Sequence, residues 1–181
     1  MNIPNWISMA RVATVPVVVW LILEGHLSWA FWVFGLAGVS DALDGFIAKR
    51  FAMETELGRY LDPIADKALL SSTYVSMAVV GMLPSWLAIL VVFRDLFIVG
   101  GAMLYETLTH SLTMRTLWVS KLNTVMQILL VAVVLGQAMT DASLGALADV
   151  MIFAAAATTL VSGLAYALVW GRQWSDGGAG R

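Results

Sequence analysis

The sequence predicts an all-α membrane protein of six transmembrane helices with both termini in the cytoplasm. Three observations carry that expectation. The 181 residues are 60% hydrophobic and 12% charged, about half the charged fraction of an average soluble domain. The apolar residues gather into runs near the roughly 20 residues a helix needs to cross hydrocarbon. The basic residues are also sorted. Arg11, Lys49, Arg50, Arg59, Arg115, Lys121, Arg172 and Arg181 fall at the amino end, in the second and fourth breaks, and at the carboxyl end. The first, third and fifth breaks hold no Lys or Arg. Lys and Arg collect on cytoplasmic flanks, so both ends and the even breaks face the cytoplasm.

Taken in order, the first span is Ala10 to about Leu23 (ARVATVPVVVWLIL), extended upstream by an amphipathic stretch from Pro4. The second runs from about Ser28 to Arg50, and the third from Pro63 to about Val80. The fourth is Trp86 to about Tyr105, the fifth about Leu117 to Ala138, and the sixth about Leu147 to Trp170. The breaks EGHLS, RFAMETELGRYLD, GMLPS, ETLTHSLTMRT and MTDASLG hold Gly, Pro, Ser, Thr and Asp, as turns do. None is long enough for a separate soluble domain. Residues 1–172 therefore form one membrane domain, and the polar tail QWSDGGAGR (173–181) frays. The first apolar run follows no basic leader and reads as a retained anchor.

The chain has no cysteine, which removes disulfides, thiolate metal sites and cysteine nucleophiles. His26 and His110 fall in polar breaks and read as solvated side chains. No nucleic acid is expected as a partner.

The stretch SDALDGFIAKRFAMETELGRYLDPIADK places four aspartates beside apolar runs. Ionisable groups in membrane segments are costly and point to function. Asp41 and Asp44 are three residues apart, and Asp62 and Asp66 four apart, so each pair shares a helix face. The loop between the pairs is short enough to turn the chain back, and two helix ends, each showing two carboxylates, can converge. Four carboxylates in one place repel one another unless a cation lies between them. All-oxygen ligation suits Mg2+ or Mn2+, and two such ions can clamp a phosphoryl or pyrophosphoryl group. Gly45 lets a ligand approach the backbone, Ala48 lies on the same stripe, and Lys49, Arg50 and Arg59 supply positive charge for phosphate oxygens. Plainer readings stand beside these. Asp62–Pro63 also makes a helix start, Glu54 and Glu56 read as solvated loop acids, and Lys49 and Arg50 also serve as ordinary cytoplasmic anchors.

These residues resemble the CDP-alcohol phosphotransferases, whose pattern is D-x2-D-G-x2-A-R-x8-G-x3-D-x3-D. Here it reads Asp41, Asp44, Gly45, Ala48, Lys49, Gly58, Asp62, Asp66 with matching spacing. The departure is Lys49, where the family usually has arginine. Lysine offers phosphate a point charge instead of a two-pronged contact. The resemblance implies a six-helix membrane enzyme, commonly a homodimer, with its site at the cytoplasmic interface. It implies that Asp41, Asp44, Asp62 and Asp66 bind two divalent ions and that Asp66 is the base. It places Asn5, Gly45, Lys49, Thr55 and Gly58 at the nucleotide. The donor would be CDP-diacylglycerol and the leaving group CMP, in a bacterial inner membrane.

The stretches LAGVSDALDGFIAKR, LDPIADKALLSSTYVSM, VVFRDLFIVGG and VSKLNTVMQILLVA look most like cardiolipin synthases of the eukaryotic type. There the acceptor is phosphatidylglycerol. The alternative is phosphatidylglycerophosphate synthase, with glycerol 3-phosphate as acceptor. Arg94, near the middle of the fourth span and followed by Asp95, reads either as an acceptor-phosphate ligand with Arg115 and Lys121, or as half of a structural Arg–Asp pair between helices. Asn123 and Gln127 share a face and either line that cavity or bond between helices. An ion-coupled transporter is a further reading of membrane acids, but these acids cluster towards one face and no repeat is visible.

Overall fold

The structure, a computed structural model, describes the backbone of residues 3–51, 56–109, 117–139 and 145–178 and the side chains of 12–40, 67–101, 117–139 and 145–170. Six helices follow one another, with no strand among the described residues: α1 (Ile3–Leu23), α2 (Leu27–Phe51), α3 (Glu56–Val79), α4 (Ser85–Thr109), α5 (Trp118–Gln137) and α6 (Gly145–Gly178).

Each expected span has its helix, and four bounds differ. α1 is continuous from Ile3, with Pro16 inside it. That proline has no N–H to give the Val12 carbonyl one turn back. α3 begins at Glu56, so Asp62 and Pro63 lie within it and do not start it. The N-cap reading of Asp62 therefore fails, and residues 52–55, between α2 and α3, lie outside the described residues. α4 runs to Thr109, four residues past the expected Tyr105 and into the expected break ETLTHSLTMRT. α6 continues to Gly178, well into the stretch expected to fray.

The first and third turns are built alike. After α1, Gly25 has φ 78°. Its N–H reaches the Ile22 carbonyl at 3.1 Å, and the His26 N–H reaches Leu21 at 2.8 Å. After α3, Gly81 also has φ 78°. Its N–H reaches Ala78 at 3.1 Å, and the Met82 N–H reaches Met77 at 2.8 Å. Both are Schellman motifs, in which a left-handed residue lets the last carbonyls of a helix find donors. Glycine is needed because a Cβ is disfavoured at that φ.

The chain divides into two compact units: Met1–Ala88 with Val131–Leu144, and Ile89–Leu130 with Gly145–Arg181. In the first, α1 packs against both α2 and α3. Its core is apolar: Val18, Leu21 and Ile22 of α1, Ala30, Phe34 and Ala37 of α2, and Leu70, Tyr74 and Met77 of α3 are buried. The spacing of these residues, three and four apart, makes one stripe per helix. Thr73 and Ser76 are buried among them. Their hydroxyls donate to the carbonyls of Leu69 and Ser72, each at 2.8 Å, which satisfies them within α3. The second unit buries Arg94, Asp95, Asn123, Gln127, Thr159 and Ser162 beside Val91, Ile152 and Ala155.

The outward faces are greasy. Leu36, Val79, Ile89, Phe93, Leu96, Val150, Phe153 and Leu164 are all exposed. Such a surface in water would be a large aggregation patch; in hydrocarbon it is the solvated face. Among the described residues, Trp118–Gln137 and Gly145–Trp170 are helices long and apolar enough to cross a membrane, while Val12–Leu23 and Leu27–Ser40 are shorter apolar helices.

Replacing Gly81 by Ala forces a side chain into the left-handed region and is expected to cost about 1–2 kcal/mol. Gly100→Ala, in an exposed helical position with open space around it, should be neutral or slightly stabilising. Unfolding midpoints of the two detergent-solubilised variants check the contrast.

Candidate active site

The acid-bearing segments lie on adjacent helices of the first unit. Asp41 and Asp44 lie in the C-terminal half of α2, and Asp62 and Asp66 in the first three turns of α3. Along a helix, three and four residues rise about 4.5 and 6 Å while coming back to one side, so each pair forms a short acidic stripe. Gly45, Ala48 and Lys49 continue along α2, and Gly58 lies one turn before Asp62 on α3. α1 packs against both helices, and Asn5 belongs to its first turn. The side chains of Asn5, Asp41, Asp44, Lys49, Asp62 and Asp66, with Gly45 and Gly58, lie outside the described side chains, and Thr55 and Arg115 lie outside the described residues altogether. The pattern contains neither sulfur nor imidazole, so its four carboxylates make a hard-oxygen donor set of the kind that suits Mg2+ or Mn2+. Among the described residues there is no other cluster of His, Asp and Glu that could hold a metal.

The second unit holds a buried polar seam. Arg94 is 3% exposed. Its Nη1 donates to Asp95 Oδ1 at 2.7 Å. Its Nη2 donates to Ser120 Oγ at 2.6 Å and also to Ser162 Oγ. One guanidinium thus ties α4 to α5 and α6. One turn further along α5, Asn123 Oδ1 accepts from Thr158 Oγ1 and Thr159 Oγ1, each at 2.9 Å. Thr159 Oγ1 is also 2.7 Å from the Ala155 carbonyl. A hydroxyl has one proton, so it serves one of these acceptors at a time. Another turn on, Gln127 Nε2 donates to Thr159 Oγ1 at 3.3 Å. Asn123 and Gln127 thus meet at Thr159, and a ladder of hydroxyls and amides joins α5 to α6. Arg94 Nε and Asn123 Nδ2 are buried donors without a partner.

Aromatic rings flank the ladder. Trp170 lies 5.3 Å from Phe97 and 5.8 Å from Tyr166, centroid to centroid. A Cβ on Gly101 would overlap the Trp170 ring, so the glycine makes room for it on α4. Tyr166 Oη accepts the Leu117 N–H at 3.4 Å, just before the first turn of α5, where N–H groups have no partner within the helix.

Of the expected acceptor group, Arg94 and Asn123 therefore lie in one seam. Lys121 is exposed outside it, with Nζ 5.4 Å from the Trp118 ring centroid. The Arg94–Asp95 pair exists, but within α4 and not between helices. Ser120, Thr158, Thr159, Ser162 and Tyr166 were not singled out from the sequence. A signal was there: residues 120, 123 and 127, and 158, 159 and 162, fall at helical spacing on two facing stripes.

Comparison with known proteins follows the same residues. Residues 1–170 match the family model described as CDP-alcohol phosphatidyltransferase. The chain is 36% identical over 154 residues to the chloroplastic CDP-diacylglycerol–glycerol-3-phosphate 3-phosphatidyltransferase 1 of Oryza sativa subsp. japonica, covering 76% of this chain and 47% of that protein. It is 37% identical over 147 residues to the CMP-forming cardiolipin synthase of Homo sapiens, covering 72% and 49%. It is 30% identical over 175 residues to a probable phosphatidylglycerophosphate synthase of Mycobacterium tuberculosis, covering 91% and 79%. The chain spans about half the length of the rice and human proteins.

Removing one side of the Arg94–Asp95 pair should be far worse than trimming the ladder. Arg94→Leu removes a buried guanidinium that bonds Asp95, Ser120 and Ser162 at once and is expected to cost about 3–5 kcal/mol. Thr158→Ala removes one hydrogen bond between membrane helices, worth about 0.6 kcal/mol. Unfolding of both variants in the same detergent tests the ranking.

Proposed function

The chain belongs to the CDP-alcohol phosphatidyltransferase family, and on that premise we propose that it transfers a phosphatidyl group from CDP-diacylglycerol to phosphatidylglycerol, releasing CMP. The observation that carries the reading is the acid pattern itself. Seven of the eight pattern residues from Asp41 to Asp66 occur in register, with Lys49 in the place of the family's arginine, on two helices that share α1 as a neighbour.

The residues have separable roles in this reading. Asp41, Asp44, Asp62 and Asp66 would hold one or two Mg2+ or Mn2+ ions, which when bound offset the charge of the pyrophosphate and of departing CMP. Lys49 supplies a point charge towards the nucleotide phosphate, with Gly45 and Gly58 leaving the backbone open beside it. Asn5 and Thr55 complete the nucleotide contacts. Asp66 takes the proton of the acceptor hydroxyl as that oxygen bonds to the phosphorus carrying the diacylglycerol. The phosphorus–oxygen bond to CMP breaks, and CMP leaves with the bonding pair.

Phosphatidylglycerol is the preferred acceptor because most of the chain, through VVFRDLFIVGG and VSKLNTVMQILLVA, looks like cardiolipin synthases. The second reading, glycerol 3-phosphate as acceptor, is favoured by the similarity to the rice enzyme. Arg94, Arg115, Lys121 and Asn123 are the proposed acceptor-side residues in either case. The protein would work as a homodimer of six-span chains in a bacterial inner membrane, with both termini and the acids towards the cytoplasm.

Purified protein given CDP-diacylglycerol, Mg2+ or Mn2+, and each acceptor in turn should release CMP with phosphatidylglycerol and form cardiolipin. Consumption of glycerol 3-phosphate alone would transfer the assignment to the second reading. Chelation should stop CMP release and metal should restore it. Asp66→Asn should lower turnover by roughly 10²–10⁴-fold, the range of a lost general base. An ion flux into proteoliposomes that survives this change, with no CMP from any acceptor, would remove the enzyme reading.

A further inference from the structure

The end of the first unit away from the acids carries exposed indoles. Trp20 lies in the last turn of α1 and is 56% exposed, Trp29 in the first turn of α2 at 68%, and Trp86 in the first turn of α4 at 48%. Each is within one helical turn, about 5 Å, of its helix end. The ends they flank adjoin the Gly25 and Gly81 turns. An indole is a broad apolar ring with one N–H donor. In water its ring is badly placed, and in hydrocarbon its N–H is; at the boundary between headgroups and acyl chains both are satisfied.

A second observation concerns spacing. Twenty-one residues separate Trp29 from Arg50 along α2, and twenty-one separate Arg59 in α3 from Val80 at the following turn. At the helical rise each stretch covers about 31 Å, close to the roughly 30 Å of a bilayer's hydrocarbon core. On α2 that distance joins a basic residue to an indole, and on α3 it joins a basic residue to the turn that precedes Trp86. The turns at the indole end, EGHLS and GMLPS, contain no Lys or Arg.

We propose that Trp20, Trp29 and Trp86 form an anchoring ring at the headgroup–acyl boundary of the leaflet facing away from the acids. With Lys49, Arg50 and Arg59 at the opposite boundary, the ring fixes how deep α1, α2 and α3 sit in the bilayer. The same helices carry the acids, so the ring also sets the depth of the acid pattern. The proposal rests on the reading of the chain as membrane-embedded.

The full chain is reconstituted in phosphatidylcholine vesicles containing a lipid brominated either near the headgroup end of its acyl chains or near their methyl ends. Tryptophan fluorescence is compared between the unsubstituted protein and the Trp20→Phe/Trp29→Phe/Trp86→Phe variant. The expected result is that the fluorescence lost in the variant is the part quenched mainly by the shallow bromines. Should that part respond mainly to the deep bromines, or to neither, as for indoles covered by a second copy of the chain, the proposal is overturned. If the triple variant fails to insert, Trp29→Phe alone is read in the same way. Release of the unsubstituted protein by an alkaline carbonate wash would instead overturn the membrane reading beneath it.

Discussion

A peptide group in hydrocarbon has no water to bond with, so its N–H and C=O must find partners within the chain. This chain meets that requirement with helices, and the exceptions are instructive. At Gly25 and Gly81 the helix ends are closed by Schellman bonds. At the start of α5 a tyrosine hydroxyl accepts a backbone N–H. In α3 and α6, threonine and serine hydroxyls return their protons to the carbonyls of their own helices. The same requirement acts on side chains. A carboxylate or guanidinium at membrane depth is tolerated only with a partner, and Arg94 has three, one on its own helix and one on each of two others.

The two units meet the demand for specificity differently. In the first, the described side chains of α1 pack on α2 and α3 through apolar stripes, where complementary shape guides register. Lipid tails are as apolar as leucine, so burial there gains packing and not escape from water. In the second, hydrogen bonds set register. Sliding α6 by one turn against α5 would move Ser162, Thr159 and Thr158 past Ser120, Asn123 and Gln127 and leave amides facing alanine. The Trp170 ring over Gly101 adds a steric check between α6 and α4.

The order of the helices was legible in the sequence, because apolar runs near 20 residues read as helices. Six helices in the expected order follow from them. The start of α3 was not legible. Asp62–Pro63 has the chemistry of a helix start, and local propensity cannot show that upstream residues from Glu56 are already helical. The end of α6 was missed for a related reason, since a polar, glycine-rich composition says little about a helix carried forward from an apolar span. The acid pattern is a match of residue type and spacing in the sequence alone, since its side chains lie outside the described ones. The facing stripe of Thr158, Thr159 and Ser162 was not legible, because a lone hydroxyl in an apolar helix usually bonds its own backbone. Only the position of α5 beside α6 shows that these hydroxyls also face Asn123 and Arg94.

The choice of acceptor must be written outside the acid pattern. Both candidate reactions use the same donor, the same leaving group and the same attack by a hydroxyl, so the residues serving those steps cannot distinguish them. What differs is the rest of the acceptor: a free phosphate on a small soluble molecule, or a phosphodiester inside a lipid. A free phosphate carries more charge and calls for more cations. Arg94 already has Asp95 beside it and two hydroxyls on Nη2, and its Nε–H, a buried donor without a partner, is a group it can offer a phosphate without breaking the bonds that join three helices. Lys121 is exposed and rests against Trp118, where it can reach a headgroup without breaking anything. A phosphodiester carries one negative charge and a phosphate monoester close to two, so the number of cations that meet the acceptor is what separates the two reactions.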